Sequence, residues 1–317
     1  MKTILIAGSG QLGSRHLQGA KMAKTELDIW VYDLSIDSLK QAGERYNQVN
    51  SISNKTVHFV TSLDEVPSEI DAAIVASSSK PRFAIVKQLL ASHNVEYLIL
   101  EKFLFPRLSD YPEISNLIKE KNVKTWVNCP RRIWDGYLYI KSLINPLESI
   151  NFSYEGGEWG MCCNTIHFAD IFMFLNDEDT FICNIDNLKP LVVDSKRSGY
   201  VELYGTEIFT TPKGNKLSLT SLPEKESPAL SVIENGDLKI EYFESKGEVI
   251  VNGKKSVFPV QYQSNLTGAV LDDLFTIGDC KLSTYERSAA YHVEYLSKIS
   301  SFINKIKGWT TDSCPIT

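Results

Sequence analysis

Near the start of the chain, Gly8, Gly10 and Gly13 stand in the segment GSGQLGSRH with GxGxxG spacing, directly after the apolar run Thr3 to Ala7. In a pyrophosphate cradle, the first glycine permits a tight turn. The second lets the phosphates approach the backbone, and the third lets the following helix pack close to the strand. The phosphates would then lie at a helix N-terminus, whose open amides and dipole favour anions. Ser9, Gln11 and Leu12, the remaining loop residues, would share that contact. Asp33 ends the second apolar run, twenty residues after Gly13. A carboxylate there accepts hydrogen bonds from ribose hydroxyls and repels a ribose phosphate, which favours NAD over NADP. Ser35 nearby would tolerate a phosphate. A glycine turn without a ligand, a flavin or S-adenosylmethionine are the competing readings.

Further along, Glu101-Lys102 closes the fifth apolar run, at the carboxyl end of a strand where sheets of this kind bind ligands. Hydride transfer to a nicotinamide needs a group that takes the hydroxyl proton, and Lys102 is a candidate. Glu101 would orient it. A solvated charge pair ending a strand is the plain alternative. His167 is a second candidate proton carrier, sharing a helical face with Cys163 and Asn164. Asp170, three residues on, would orient the imidazole; a structural histidine is the alternative. His16 either touches the phosphates or packs. Arg131 and Arg132, with Lys102, would make a pocket positive and suit a carboxylate- or phosphate-bearing ligand, unless the arginines are surface residues.

These side chains need elements to carry them. Over the first 125 residues, short apolar runs alternate with helical patterns: Thr3 to Ala7, Asp28 to Tyr32, Val57 to Val60, Ala72 to Ala76, Tyr97 to Leu100 and Thr125 to Val127 are the strands. Phe83, Val86, Leu89 and Leu90 recur at helical spacing between two of them. The pattern predicts βαβ units and a doubly wound parallel sheet. After about residue 146 strand follows strand, from Ile150 to Val251, with Asn235-Gly236 as a hairpin signal and Asn252-Gly253 as the next turn. Tyr200 to Tyr204 and Glu207 to Thr211 read as two strands. This predicts an α+β domain with an open, mainly antiparallel sheet, a helix near Thr165 to Leu175, and a closing helix from Thr284 to about Ile306. The expected domains are 1–125, binding a dinucleotide, and 126–317, binding substrate and mediating oligomerisation, with the closing helix able to pack back on the first domain.

Composition sets the bounds. The chain has 317 residues, enough for two cores, with 43% hydrophobic residues and a net charge of −6. Without a basic tract, nucleic acid is not an expected partner. Without an apolar run of membrane-spanning length, neither is a membrane. None of the six cysteines forms a CxxC pair, so no structural metal or disulfide framework is expected and the cytoplasm is the expected compartment.

The sequence resembles the Gfo/Idh/MocA family of sugar-type dehydrogenases along nearly its whole length. The resemblance is carried by GSGQLGSRH, by the polar stretch Ala76 to Ser79 after the fourth strand, and by Glu101-Lys102 against the family's Glu-Lys-Pro. Arg131-Arg132, CCNTIHFADIF with Asn164, His167 and Asp170, and LSTYERSAAYH (Leu282 to His292) complete it. It implies an N-terminal Rossmann domain holding NAD beside Ser77, Ser78 and Glu101. It also implies catalysis by Lys102 and His167, and substrate contacts from Lys102, Arg131, Arg132, Trp159, Asn164 and His167. The implied activity is hydride transfer at a carbinol or carbonyl carbon of a sugar or sugar derivative, acidic or nucleotide-linked, in surface-polysaccharide metabolism. A homodimer or homotetramer through the C-terminal sheet is expected. Two positions depart from the pattern. Cys163 stands where the family commonly has an aspartate, and Phe103 replaces the proline. The first departure motivates the alternative of a non-catalytic NAD-binding regulatory or scaffold protein.

Overall fold

A computed structural model describes residues 1–225 and 227–317. The chain divides into two compact units. The first comprises Met1–Phe105, Ser109–Pro130 and Gln261–Tyr285. It therefore runs slightly past residue 125 and takes in a segment from far down the chain.

In this unit β1 (Lys2–Ala7), β2 (Leu27–Tyr32), β3 (Lys55–Val60), β4 (Glu69–Val75), β5 (Asn94–Glu101) and β6 (Lys124–Asn128) form a parallel sheet. The strand order is β6-β5-β4-β1-β2-β3, with a two-residue β15 (Ser283–Thr284) antiparallel on the β6 edge. The order reverses beside β1, so the crevice at the carboxyl ends of β1 and β4 is the topological switch point where such sheets bind ligands. The helices are α1 (Gln11–Lys21), α2 (Ile36–Tyr46), α3 (Ser79–Ser92), α4 (Asp110–Glu120) and α7 (Gln263–Ile277). The central strands are apolar on both faces, as helical cover on both sides demands: Ile4, Leu5, Ile6, Ile74, Val75, Leu98 and Leu100 have no exposed surface. Ser35 starts α2 by accepting the Ser38 amide at 3.2 Å.

The second unit comprises Pro106–Leu108, Arg131–Val260 and Glu286–Thr317. Its sheet contains β7 (Ile150–Gly157), β8 (Ile182–Asp194), β9 (Val201–Thr210), β10 (Lys216–Leu222), β11 (Leu230–Asn235), β12 (Leu238–Phe243), β13 (Glu248–Val251) and β14 (Lys254–Val257). The order is β14-β13-β12-β11-β7-β10-β9-β8, antiparallel except for the β7–β10 pair. The helices are α5 (Asp135–Leu143), α6 (Met161–Asn176) and α8 (Tyr285–Lys307). Asn235-Gly236 turns β11 into β12, with Gly236 at φ +58°. The two strands read around Gly205 are one, β9: this glycine takes φ +110°, so the strand kinks there without ending. One sheet face buries Phe152, Leu203, Phe209, Leu217, Leu219 and Ile240, and α6 contributes Ile166, Phe168, Ile171 and Phe172 to the core. Among the described residues no helix is long and apolar enough to cross a membrane.

Candidate functional site

In the first unit the site is built on the ends of β1 and β4. Gly8 takes φ +95°, and a Cβ there would lie 2.8 Å from the Ser77 amide nitrogen. A Cβ on Gly13 would lie 1.7 Å from the Gly8 carbonyl oxygen, which is the close helix–strand contact that a third glycine allows. At Gly10, by contrast, a Cβ would meet nothing within 4 Å. Packing inside the unit thus demands two of the glycines, whereas the third faces open space of the kind a pyrophosphate needs. Gly10 is also the N-cap of α1, and no side chain caps that helix or α3, whose N-cap is Ser78. Neither first turn carries an acidic residue, so both N-termini present a field favourable to an anion. The Ser77 hydroxyl oxygen is buried with no hydrogen-bond partner among the described residues. The open ground at Gly10, the two helix starts and this orphaned hydroxyl fit a dinucleotide.

Asp33 follows β2 and reaches the loop. Its Oδ2 accepts the Ser9 amide at 2.7 Å and the Ser9 hydroxyl at 3.1 Å, and its Oδ1 accepts the Ser35 amide at 2.9 Å. The carboxylate therefore shapes the loop.

Glu101 is buried at the end of β5. His16 Nε2 lies 2.7 Å from its Oε1, the Asn128 amide donates to the same oxygen at 2.5 Å, and Thr267 on α7 lies 3.0 Å from His16 Nδ1. Burial, the largest single influence, pushes the Glu101 pKa up. The His16 hydrogen bond and charge, the Asn128 hydrogen bond and the Arg82 charge together outweigh it and hold the pKa below the ordinary carboxylate value. His16, open in the sequence between phosphate contact and packing, is an interior residue. Lys102 is half-buried and its peptide bond to Phe103 is cis. The turn that carries it is braced by Arg82 from α3, a 1% exposed arginine that donates to the carbonyls of Ser77, Phe103 and Leu104, the last at 3.0 Å. Arg82 thus ties the polar stretch after β4 to the turn after β5.

The second unit holds the remaining candidates. Arg131 makes a bidentate pair with Glu244, both contacts at 2.8 Å, with the guanidinium 4.4 Å from the Phe168 ring centroid. Tyr137 donates to the same glutamate at 2.6 Å. Arg132 Nε donates to buried Asp170 at 2.9 Å. Both guanidinium charges are neutralised by carboxylates of their own unit, so the positive pocket expected from Arg131 and Arg132 is not formed by this pair. Asp170, expected to orient His167, pairs with Arg132. His167 is half-buried on α6.

The turn before α6 reads Gly156-Gly157-Glu158-Trp159-Gly160. Glu158 takes φ +41°, a left-handed conformation that costs a non-glycine residue roughly 1–2 kcal/mol. The turn is pinned by hydrogen bonds from the Gly157 amide to the Ser227 carbonyl at 3.1 Å and from the Glu158 amide to the Leu222 carbonyl at 2.9 Å. Trp159 Nε1 donates to the Thr220 carbonyl at 2.9 Å. Asn164 donates to the carbonyls of Trp159 and Gly160, at 2.9 and 3.1 Å. Glu202 on β9 accepts the Cys162 amide at 2.8 Å. A cavity of about 250 Å³ opens here, bordered by Glu158, Trp159, Cys163, Asn164, Glu202 and Tyr204 among others.

Residues 2–129 match the family described as GFO_IDH_MocA, oxidoreductase family, NAD-binding Rossmann fold. Over that stretch, the first domain, the chain is similar to the Gfo/Idh/MocA oxidoreductases. Solved structures share the fold across the chain. An oxidoreductase from Agrobacterium radiobacter, in complex with NAD+, L-tartaric acid and magnesium, superposes with a TM-score of 0.70 at 16% identity, covering 97% of this chain and 99% of its own. A UDP-N-acetylglucosamine 3-dehydrogenase from Acidithiobacillus ferrooxidans has a TM-score of 0.70 at 13% identity, covering 96% and 98%. A biliverdin reductase from Synechocystis sp. PCC 6803, in complex with biliverdin and NADP+, has 0.68 at 12% identity, covering 94% and 98%. No curated protein matches the sequence.

The thiol of Cys163, the position where the resemblance predicts an aspartate, donates to the Thr317 carbonyl at 2.5 Å. Sequence reasoning missed Arg82, the Asn128–Gln263–Thr267 group around His16, and the acidic residues Glu158, Glu202 and Glu244. A helical repeat, Leu266, Val270, Leu271 and Leu274, marks α7 and would have found its element. No local signal distinguishes Arg82 from a surface arginine.

Proposed function

We propose that this chain is an NAD-dependent dehydrogenase or reductase of the Gfo/Idh/MocA family, acting on a carbinol or carbonyl carbon of a sugar or sugar derivative. The observation that carries the cofactor reading is the open ground at Gly10 between two uncapped helix starts, with the Asp33 carboxylate beside the loop. The nicotinamide, when bound, supplies the hydride chemistry. The chain's residues do the rest. The loop amides hold the pyrophosphate, and Asp33 accepts the ribose hydroxyls and disfavours a phosphate there. Lys102 exchanges the proton of the reacting hydroxyl, and His167 is the second proton carrier. Trp159 and Asn164, which border the cavity of the second unit, contact the sugar. The sugar reading is supported by the dehydrogenase relative that acts on UDP-N-acetylglucosamine. The half-exposed face of the second sheet is the proposed dimer or tetramer interface.

NADH and NADPH titrations followed by cofactor fluorescence, with turnover of a sugar panel in wild type and Lys102→Ala, test this reading. NADH is expected to bind more tightly than NADPH, and turnover is expected to collapse in the variant. Cys163 at the aspartate position favours one competitor, a non-catalytic NAD-binding module, which predicts NADH binding without turnover of any sugar.

A further inference from the structure

The cavity of the second unit has a composition that the arginine-based reading of the substrate does not contain. Three carboxylates, Glu158, Asp194 and Glu202, border it against two cations, Lys196 and Arg197. Asp194 and both cations are solvent-exposed rim residues, whereas Glu158 and Glu202 are half-buried. Its interior therefore combines hydrogen-bond acceptors with an indole and an amide. At about 250 Å³ it lies just under the roughly 300–1,000 Å³ of sites for drug-sized ligands, which suits a single ring.

Glu158 is the residue whose presence here costs most. It is held in the left-handed region at φ +41° by a turn whose neighbours are glycines, and glycine would occupy its position without strain. Its carboxylate is 26% exposed, accepts the Tyr204 hydroxyl at 3.3 Å, and borders the cavity beside Trp159. Its ion pair with Lys225, at 3.7 Å to a 78% exposed lysine, is the weak surface kind and does not account for the strain. Backbone strain at a cavity wall points to a side chain kept for what it contacts.

We propose that Glu158 is a specificity-determining residue of this cavity: it accepts hydroxyl or ammonium hydrogens of a pyranose ring stacked near Trp159, and it excludes rings that bear a carboxylate. A carboxylate beside donors gains charge-assisted hydrogen bonds, whereas beside another carboxylate it is repelled. The ring class is thus a neutral sugar or an amino sugar, not a sugar acid. This rests on the reading of the cavity as the sugar-binding side of the oxidoreductase.

The test is saturation-transfer NMR on the full chain with NADH present, using D-glucose, D-glucosamine and D-glucuronate as probes. The wild type is expected to bind glucose and glucosamine at least about tenfold better than glucuronate. Glu158→Gln, which keeps the shape and removes the charge, is expected to bring the three within about threefold. Equal or tighter binding of glucuronate by the wild type overturns the proposal. So does a preference that Glu158→Gln leaves unchanged, or the absence of binding by all three sugars. NADH affinity, measured separately by fluorescence, keeps the two readings apart. A sugar preference without NADH binding sinks the oxidoreductase reading alone, and NADH binding without the sugar preference sinks this one alone.

Discussion

His16 Nε2 and Glu101 Oε1 lie 2.7 Å apart with both side chains at most 2% exposed, so the first unit closes its glycine-loop helix onto the end of β5 through a buried hydrogen bond. Removing one partner leaves the other buried without its principal contact, which for a buried pair costs about 3–5 kcal/mol. His16→Leu is therefore expected to lower the unfolding free energy of the first unit by about 3 kcal/mol in urea titrations. The pH sign follows from Glu101. Its folded pKa lies below the unfolded value near 4.5, so its stabilisation is full above that value and is lost as pH falls through the folded pKa. Glu101→Gln should flatten the loss of stability below pH of about 4.5 and lower stability at neutral pH.

Gly10 and Gly13 are expected to separate binding from folding. A methyl group at Gly13 would meet the Gly8 carbonyl at 1.7 Å, so Gly13→Ala should destabilise the unit by several kcal/mol, in the upper range for single substitutions. A methyl group at Gly10 meets nothing within 4 Å, so Gly10→Ala should melt like the wild type and lose at least about tenfold in NADH affinity. Unchanged NADH binding in Gly10→Ala would remove the pyrophosphate from that place.

The glycine loop, Asp33 and the β11–β12 hairpin are readable in the sequence because each is a local pattern: fixed spacing, strand period or turn dipeptide. Arg82 is not. It stands in the first turn of α3, where an arginine is ordinarily a surface residue, and its partners are the Phe103 and Leu104 carbonyls about twenty residues on. The contacts of His16 come from Thr267, 251 residues away, and the charge of Arg131 is answered by Glu244, 113 residues away. A count of basic residues near Lys102 cannot see those partners, which is why it predicts a positive pocket. Glu158 is hidden for a different reason: glutamate is not a turn residue, and its left-handed backbone shows only in the folded chain.

Arg82 serves three carbonyls with a planar fork that an ammonium cannot reproduce. Arg82→Lys is expected to cost about 2 kcal/mol of stability in denaturant titrations. Because one of its carbonyls belongs to Ser77 and the others follow Lys102, turnover should fall more than stability accounts for, with NADH affinity reduced. A variant that melts early yet turns over normally at low temperature would separate Arg82 from the site.

Glu207 on β9 is fully buried, accepting hydroxyls from Thr165 at 2.7 Å and Tyr295 at 2.8 Å. Burial, outweighing both hydrogen bonds, pushes its pKa up to about 7. A carboxyl whose folded pKa is raised stabilises the fold below its unfolded value near 4.5, and that stability is lost as pH rises through about 7. The shift corresponds to about 3 kcal/mol at the alkaline end. Glu207→Gln mimics the protonated form, so its melting temperature should change less than that of the wild type between pH of about 5 and 8. Parallel curves for the two proteins would show that Glu207 titrates without strain.

Glu158 sets stability against recognition. Glycine at its position would take φ +41° without the steric cost that a side chain meets there, so Glu158→Gly should raise the unfolding free energy of the second unit by about 1 kcal/mol. The same variant removes the Tyr204 contact at 3.3 Å and the acceptor at the cavity wall, so its sugar binding should weaken at least about tenfold. Opposite changes in the two measurements are the signature of a residue retained for its contacts at the expense of the fold. A Glu158→Gly protein that is less stable than the wild type would show that the turn depends on the glutamate for its own structure.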